Sequence, residues 1–169
     1  MIASGNVARS ANITWTNVAG GDWNTAQNWD LNQVPGSGDS ASIPGGGINV
    51  IIDSTNSAGG LTLGGGSSLT IVSNGVLNIE GDVEFEGVLT NQGTVNWQSG
   101  RVGVYNRSGL GFTGEIWNEA GALWDIQCDQ PLAAETSTEL FHNAGVLQKD
   151  TTTGKIGRAS CRERVSNCV

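Results

Sequence analysis

Eleven apolar residues between positions 61 and 97 fall on odd positions, although several turns interrupt this part of the chain. Alternation of apolar and polar residues over a short run marks a strand with one buried face. Alternation that survives the turns requires each turn to return the same face to the interior. The chain is therefore predicted to coil around one apolar core through the following residues: Leu61, Leu63, Leu69, Ile71, Leu77, Ile79, Val83, Phe85, Leu89, Val95 and Trp97.

The composition excludes several other classes of protein. The chain has 169 residues, of which 26 are glycine and only 14% are charged. Strong helix formers are scarce, which argues against helical bundles and coiled coils. No run of about 18 apolar residues is present, so no membrane-spanning helix and no membrane insertion are predicted. The net charge of −8 without a basic patch argues against nucleic acid as a partner.

A turn motif occurs four times between residues 48 and 150. Each copy contains an asparagine, a glycine within three residues and an apolar residue two positions beyond the glycine, in residues 74–77, 91–95, 118–123 and 143–147. We expect the glycines to supply positive φ angles and the asparagines to stabilise the turns. The glycines are 18, 28 and 24 positions apart, which suits the turns of a repeat protein. A β-solenoid is favoured, while a β-sandwich and a series of antiparallel hairpins stay open.

Residues 15–43 combine three tryptophans with a series of turns. The landmarks are Trp15-Thr16, Gly21-Asp22-Trp23-Asn24, Asn28-Trp29, Val34-Pro35, Gly38-Asp39 and Ile43. This order, followed by the asparagine–glycine turns, resembles a segment of very large bacterial surface and secreted proteins of the autotransporter-passenger and haemagglutinin-like adhesin type. The resemblance covers about residues 13–150. It implies an all-β, right-handed parallel β-helix (β-solenoid) with an N-terminal Trp-rich cap, located at the cell surface or outside the cell, and it supplies no catalytic residue.

The sequence predicts four parts along the chain. Residues 1–12 are a disordered start, residues 13–47 a Trp-rich cap or first rung, and residues 48–154 a series of solenoid rungs truncated at the C-terminal end. Pro131 and the polar stretch that follows it are expected to bulge from one rung as a loop. No apolar signal-peptide core is present near Met1, so an export signal is expected upstream.

Residues 155–169 differ abruptly in composition from the rest of the chain. They hold four of the eight basic residues and two of the three cysteines, Cys161 and Cys168. Residues 155–165 resemble the translated read-through of a common sequencing adapter. We therefore interpret residues 155–169 as an artefactual tail, and we expect the natural protein to continue beyond Gly154.

The N-terminal tryptophans admit two interpretations. Their large apolar area could cover the end of the coil, where the first rung leaves backbone groups and the core open. Alternatively, Trp23 and Trp29 could form a platform on which a glycan stacks. The cap is favoured because these tryptophans lie beside glycine and proline in a turn-rich segment.

No metal, cofactor or zinc site is indicated. Gly20-Gly21-Asp22 and Gly36-Ser37-Gly38-Asp39 occur singly, whereas calcium-binding coils repeat such motifs in tandem. We therefore expect them to form Asx-type turns. His142 and Cys128 cannot form a zinc site alone; the first is interpreted as structural and the second as a small, partly buried apolar side chain.

No catalytic residue is predicted either. The dense acidic group Glu80, Asp82, Glu84 and Glu86 lies on even positions, so we expect a solvated, mutually repelling row on the outer face. Arg101 and Arg107 are interpreted as isolated, which leaves lyase chemistry on acidic sugars without cations. The glycine triplets 45–47 and 64–66 lack the lysine and helix of a phosphate-binding loop.

These patterns predict a structural or adhesive segment of an exported bacterial surface protein, without catalysis of its own. The expected partners are host or environmental glycans, surface proteins and the neighbouring rungs of a C-terminal continuation. One alternative is a carbohydrate-binding or accessory domain of a secreted polysaccharide-active enzyme, and another is a scaffold repeat that binds no ligand. We also expect the exposed last rung, near residues 140–148, to promote aggregation.

Overall fold

The computed structural model describes residues 10–134 and 140–149, which form short β-strands joined by turns. The strands are β1 (Asn12–Thr14), β2 (Gly21–Asp22), β3 (Ser40–Ile43), β4 (Asn49–Ile52), β5 (Thr55–Ala58), β6 (Gly60–Leu63), β7 (Ser68–Ile71), β8 (Val76–Ile79), β9 (Val83–Phe85), β10 (Val88–Asn91), β11 (Thr94–Trp97), β12 (Val102–Val104), β13 (Asn106–Arg107), β14 (Phe112–Thr113), β15 (Glu115–Asn118), β16 (Leu123–Ile126), β17 (Leu132–Ala134), β18 (Leu140–Asn143) and β19 (Val146–Gln148). Two short 3-10 helices, Ala26–Asn28 and Ser108–Leu110, complete the described elements. The expected artefactual tail, residues 155–169, and residues 1–9 of the expected disordered start lie outside the described residues.

The strands form three parallel sheets that wrap around one core. The first sheet has the order β1-β3-β6-β9-β12-β17, the second β2-β4-β7-β10-β15-β18, and the third β5-β8-β11-β16-β19. A complete coil adds one strand to each of the three sheets. The described residues contain five complete coils, which begin at β3, β6, β9, β12 and β17, and a first coil that adds only β1 and β2. The predicted all-β parallel β-helix is therefore confirmed. Its right-handed sense stays a prediction, based on the general preference of parallel crossovers.

The core is made by the alternating residues that the sequence singles out. All eleven odd-position apolar residues from Leu61 to Trp97 are buried. Paired residues lie directly above one another in neighbouring coils, as Leu69, Leu89 and Ile116 do in the second sheet. This register places like side chains together and gives one continuous apolar interior.

The coils differ in length because a hairpin is inserted into one of them. The paired residues Leu77 and Val95 are 18 positions apart, whereas Val95 and Trp124 are 29 apart. The difference comes mainly from the antiparallel pair β13–β14, which lies between β12 and β15.

The strand pairing corrects two of the predicted boundaries. Strand β3 already belongs to the second coil, because it pairs with β1 and β6, so the rungs begin before residue 48. The segment after Pro131 is not a bulging loop at its start, because Leu132–Ala134 forms a strand paired with β12. Residues 135–139 of that expected loop lie outside the described residues.

The recurring glycines serve a different purpose from the one predicted. At Gly75, Gly93 and Gly145 the φ angle is not positive. Instead, a Cβ atom at each would overlap a carbonyl oxygen of a neighbouring backbone segment, that of Ile52 for Gly75 and that of Gly75 for Gly93. Among the four motif glycines, only Gly121 has a positive φ. The glycines are therefore required chiefly because successive turns stack without room for a side chain.

We expect Gly93→Ala to lower the free energy of unfolding by about 2 kcal/mol, because the added methyl group meets backbone that cannot move aside. Gly109→Ala provides the matched control, since a Cβ atom there meets no other atom within 4 Å. Urea unfolding of both variants measures the difference. Equal stability of the two variants would contradict the stacking explanation.

Candidate functional site

The three N-terminal tryptophans form one buried cluster at the first-coil end of the core. Their exposed fractions are 1%, 0% and 1% for Trp15, Trp23 and Trp29. Trp29 makes edge-to-face contacts with both others, at ring-centroid distances of 5.0 Å to Trp15 and 4.8 Å to Trp23. The indole Nε1 of Trp29 donates to the carbonyl of Trp23 at 2.8 Å, and that of Trp15 to the carbonyl of Asn17 at 2.6 Å.

The segment that carries Trp29 lies against β1, the first strand of the first sheet, because the N–H of Asp30 donates to the carbonyl of Thr14 at 2.9 Å. After β2 the chain turns through a 3-10 helix and returns, and Trp29 forms an antiparallel bridge to Trp15. The Trp-rich cap is thereby confirmed. The alternative platform of Trp23 and Trp29 is wrong, because neither ring has an exposed face on which a sugar could stack.

An exposed aromatic group lies instead on the outer face of the second sheet. Trp117 of β15 is 37% exposed, and the ring of His142 on β18 stacks against it at 3.6 Å between centroids and 12° between planes. The indole Nε1 of Trp117 donates to Oε2 of Glu115 at 2.8 Å. The same carboxylate oxygen is 3.8 Å from Nε2 of His142, too far for a hydrogen bond. We call Glu115, Trp117 and His142 the aromatic ridge.

The aromatic ridge continues a row that crosses the sheet. In the register of the strands, Trp117 and His142 follow Ile51, Thr70 and Thr90. Ile51 is 43% exposed. One face therefore presents the apolar side chain of Ile51, two threonine hydroxyl groups, and the indole of Trp117 with the carboxylate to which it is hydrogen-bonded. Such a surface can stack against an apolar ligand face while polar groups fix its orientation.

The acidic row is outward-facing, as predicted, but it is not a self-repelling group. Nε of Arg107 is 2.7 Å from Oε1 of Glu86, and Nη2 of Arg101 is 3.6 Å from Oε1 of Glu84. The interpretation of these arginines as isolated is wrong. The next coil brings them onto the acidic strand, and each forms an ion pair between neighbouring coils.

A tyrosine completes this network of charges. Nη2 of Arg101 donates to the hydroxyl of Tyr105 at 2.7 Å, and that hydroxyl donates to Oε1 of Glu84 at 3.2 Å. Tyr105 also has the guanidinium carbon atoms of Arg101 and Arg107 at 5.9 and 5.8 Å from its ring centroid. Because every cation here has an anionic partner, the arrangement fastens coils to one another.

The single glycine–aspartate motifs form turns in the structure. Oδ1 of Asp22 accepts the N–H of Asn24 at 2.8 Å, and Oδ2 of Asp39 accepts the N–H of Gly36 at 3.1 Å. Within residues 10–134 and 140–149, no group of three or more histidine, cysteine, aspartate or glutamate side chains is arranged to hold a metal ion. Cys128 is 8% exposed, in agreement with its predicted role as a partly buried apolar residue.

The two glycine triplets meet at one corner of neighbouring coils. A Cβ atom at Gly64 would overlap the backbone of Gly45, and one at Gly65 would overlap the ring of Phe112. Phe112 belongs to the inserted hairpin. The triplets thus allow close stacking and seat the hairpin on the side of the coil.

Comparisons with protein-family models, curated proteins and solved structures found no match to this chain. Over the part of the chain that the structure describes, no helix is both long and apolar enough to cross a membrane.

Proposed function

We propose that the chain is a structural and adhesive segment of an exported bacterial surface protein, located at the cell surface or outside the cell and without catalysis of its own. The observation that carries the proposal is the in-register stack of parallel coils around one core. Strands about 4.8 Å apart, each bonded to the next coil, form a stiff rod. Side chains on its outer faces keep fixed spacings, as a surface for repeated contacts requires.

The aromatic ridge supports the adhesive part of the proposal. The exposed indole of Trp117 is held in place by two contacts. Its ring stacks on His142, and its Nε1 donates a hydrogen bond to Glu115. A fixed side chain loses little conformational freedom when a ligand binds. We therefore assign glycan contact to this face, in place of the buried Trp23 and Trp29.

A glycan array probed with the multimerised protein tests this function. We expect binding to a subset of glycans and no release of sugar products when the protein is incubated with the same polysaccharides. Product release in proportion to protein concentration would contradict the absence of catalysis. Failure to bind any glycan or surface-protein preparation would contradict the adhesive role.

We expect Trp117→Ala to weaken glycan binding at least tenfold, because the stacking surface is lost. The free energy of unfolding should change by only about 1 kcal/mol, since the side chain lies outside the core. Val18→Ala removes an apolar side chain that is 85% exposed elsewhere and is the control. Array signal and urea unfolding, measured on both variants, separate loss of contact from loss of fold. Unchanged binding by Trp117→Ala would remove the aromatic ridge from the proposal.

A further inference from the structure

The two ends of the described coil stack differ. The first end is covered by the buried tryptophan cluster, whereas β17, β18 and β19 are the last strands of their sheets. The core side chains Phe141 and Leu147 are only partly buried, in contrast to their fully buried counterparts Ile116 and Trp124 in the preceding coil. Backbone groups along the edges of β18 and β19 thus face a position where another strand could pair.

A ladder of asparagine side chains runs through the interior toward that open end. Nδ2 of Asn91 donates to Oδ1 of Asn118 at 2.8 Å, and Nδ2 of Asn118 donates to Oδ1 of Asn143 at 2.7 Å. The same two Nδ2 atoms also donate to a backbone carbonyl of the next coil, that of Leu123 at 2.9 Å and that of Val146 at 3.1 Å. Each step therefore uses one asparagine and one carbonyl of the following coil.

The ladder has a defined beginning. Oδ1 of Asn91 accepts the N–H of Gly93 in its own turn at 3.1 Å, and the preceding coil has Ile71 at this position. Asn91 and Asn118 are 0% and 1% exposed, so both amides depend on these partners. All donors point the same way, from the capped end toward the open one.

The ladder has no corresponding end. Asn143 accepts from Asn118, but its Nδ2 has no hydrogen-bond partner among the described residues. Repeating the pattern would supply that amide with an asparagine Oδ1 directly above Asn143 and a carbonyl above Val146. An aliphatic strand in this place would leave the donors of Asn143 buried without a partner, which is costly.

We propose that the edge formed by β18 and β19 is a docking surface for one kind of partner, a further parallel β-coil that carries asparagine in register with Asn143. This inference rests on the proposed rod. It adds that an asparagine in register with Asn143 determines which coil can pair with β18 and β19. It is supported by continuity with the two ladder steps already present. The asparagine acts as a register mark, because a strand shifted by one residue would turn its amide away from the core.

An inserted coil tests the proposal in the full chain. A copy of residues 80–97, which carries β9, β10, β11 and the equivalent of Asn91, is placed directly after Lys149. Three proteins are compared with the parent chain: the insertion itself, the insertion with its Asn91 equivalent changed to alanine, and the insertion with its outward-facing Thr90 equivalent changed to alanine. Thermal unfolding and exchange of the Asn143 side-chain amide protons are measured on each.

We expect the unaltered insertion and its threonine variant to unfold at a higher temperature than the parent and to slow exchange of the Asn143 amide at least tenfold. The asparagine-to-alanine insertion should lose about tenfold in the folding equilibrium constant and leave Asn143 in fast exchange. Equal behaviour of the asparagine and alanine insertions would overturn the proposal. If the parent chain formed dimers at higher concentration and this slowed exchange of the Asn143 amide protons, the proposal would be overturned. The occupant of the edge would then be a second copy of this chain. Cooperative unfolding of the parent, measured in the same series, tests the rod separately.

Discussion

We expect Trp23→Ala to lower the free energy of unfolding by about 4 kcal/mol, the largest effect of any single substitution considered for this chain. Trp23 is fully buried and packs edge-to-face against Trp29 over the end of the core. Removal of the Trp23 side chain leaves a cavity, which closes only if the surrounding turn-rich segment rearranges. Urea unfolding followed by tryptophan fluorescence measures the loss.

The variant Trp23→Phe separates the contribution of ring packing to stability from that of the indole N–H. Nε1 of Trp23 is buried and has no hydrogen-bond partner among the described residues, so phenylalanine removes an unsatisfied donor while it keeps most of the ring. We expect this variant to retain most of the stability that alanine loses. A Trp23→Ala protein as stable as the parent would mean that the tryptophan cluster does not cap the coil.

The second large effect is expected at the centre of the asparagine ladder. Asn118→Ala should lower the free energy of unfolding by about 3 kcal/mol, because Asn91, Asn143 and the carbonyl of Val146 each lose a buried partner. Denaturant unfolding measures the loss directly.

Asn96→Ala is the matched control for that variant. Nδ2 of Asn96 also donates to an asparagine of a neighbouring coil, Asn78, at 2.8 Å, but both side chains lie on the outer face and are only partly buried. We expect a loss of about 0.5 kcal/mol there, since water can replace the bond. Similar losses for Asn96→Ala and Asn118→Ala would contradict the view that burial of the ladder sets its contribution.

The fold could be predicted because the alternation of apolar residues reports the inside of a strand directly. The limit of that signal lies just beyond Trp97, where the buried positions change from odd to even, as at Val102, Val104 and Trp124. The turn between β11 and β12 contains four residues and so reverses the parity. Trp117 thereby faces outward although its position is odd, and no local pattern distinguishes it from the core tryptophans.

The contacts between coils were beyond sequence reasoning for a related reason. Arg101 and Arg107 reach the acidic row only because a whole coil brings them back beside Glu84 and Glu86, and coil length varies with the inserted hairpin. The sequence predicts that the asparagines stabilise these turns, as Asn91 does by accepting the N–H of Gly93, but it does not predict two further roles of the motif. Stacking of the turns excludes side chains at the glycines, and a hydrogen-bond ladder uses the asparagines of three of the four motif copies, neither of which a single turn reveals.

Distances along one outer row test the stacking of parallel coils most directly. Spin labels are attached in pairs to cysteines that replace Ile51 and, in turn, Thr90, Trp117 or His142, with Cys128, Cys161 and Cys168 changed to serine. The stack predicts backbone separations of about 10, 14 and 19 Å, since these positions are two, three and four strand spacings from Ile51. A steady increase across the three pairs is the expected result. Distances that fall or alternate along the series, as two facing antiparallel sheets would give, would contradict the parallel coil.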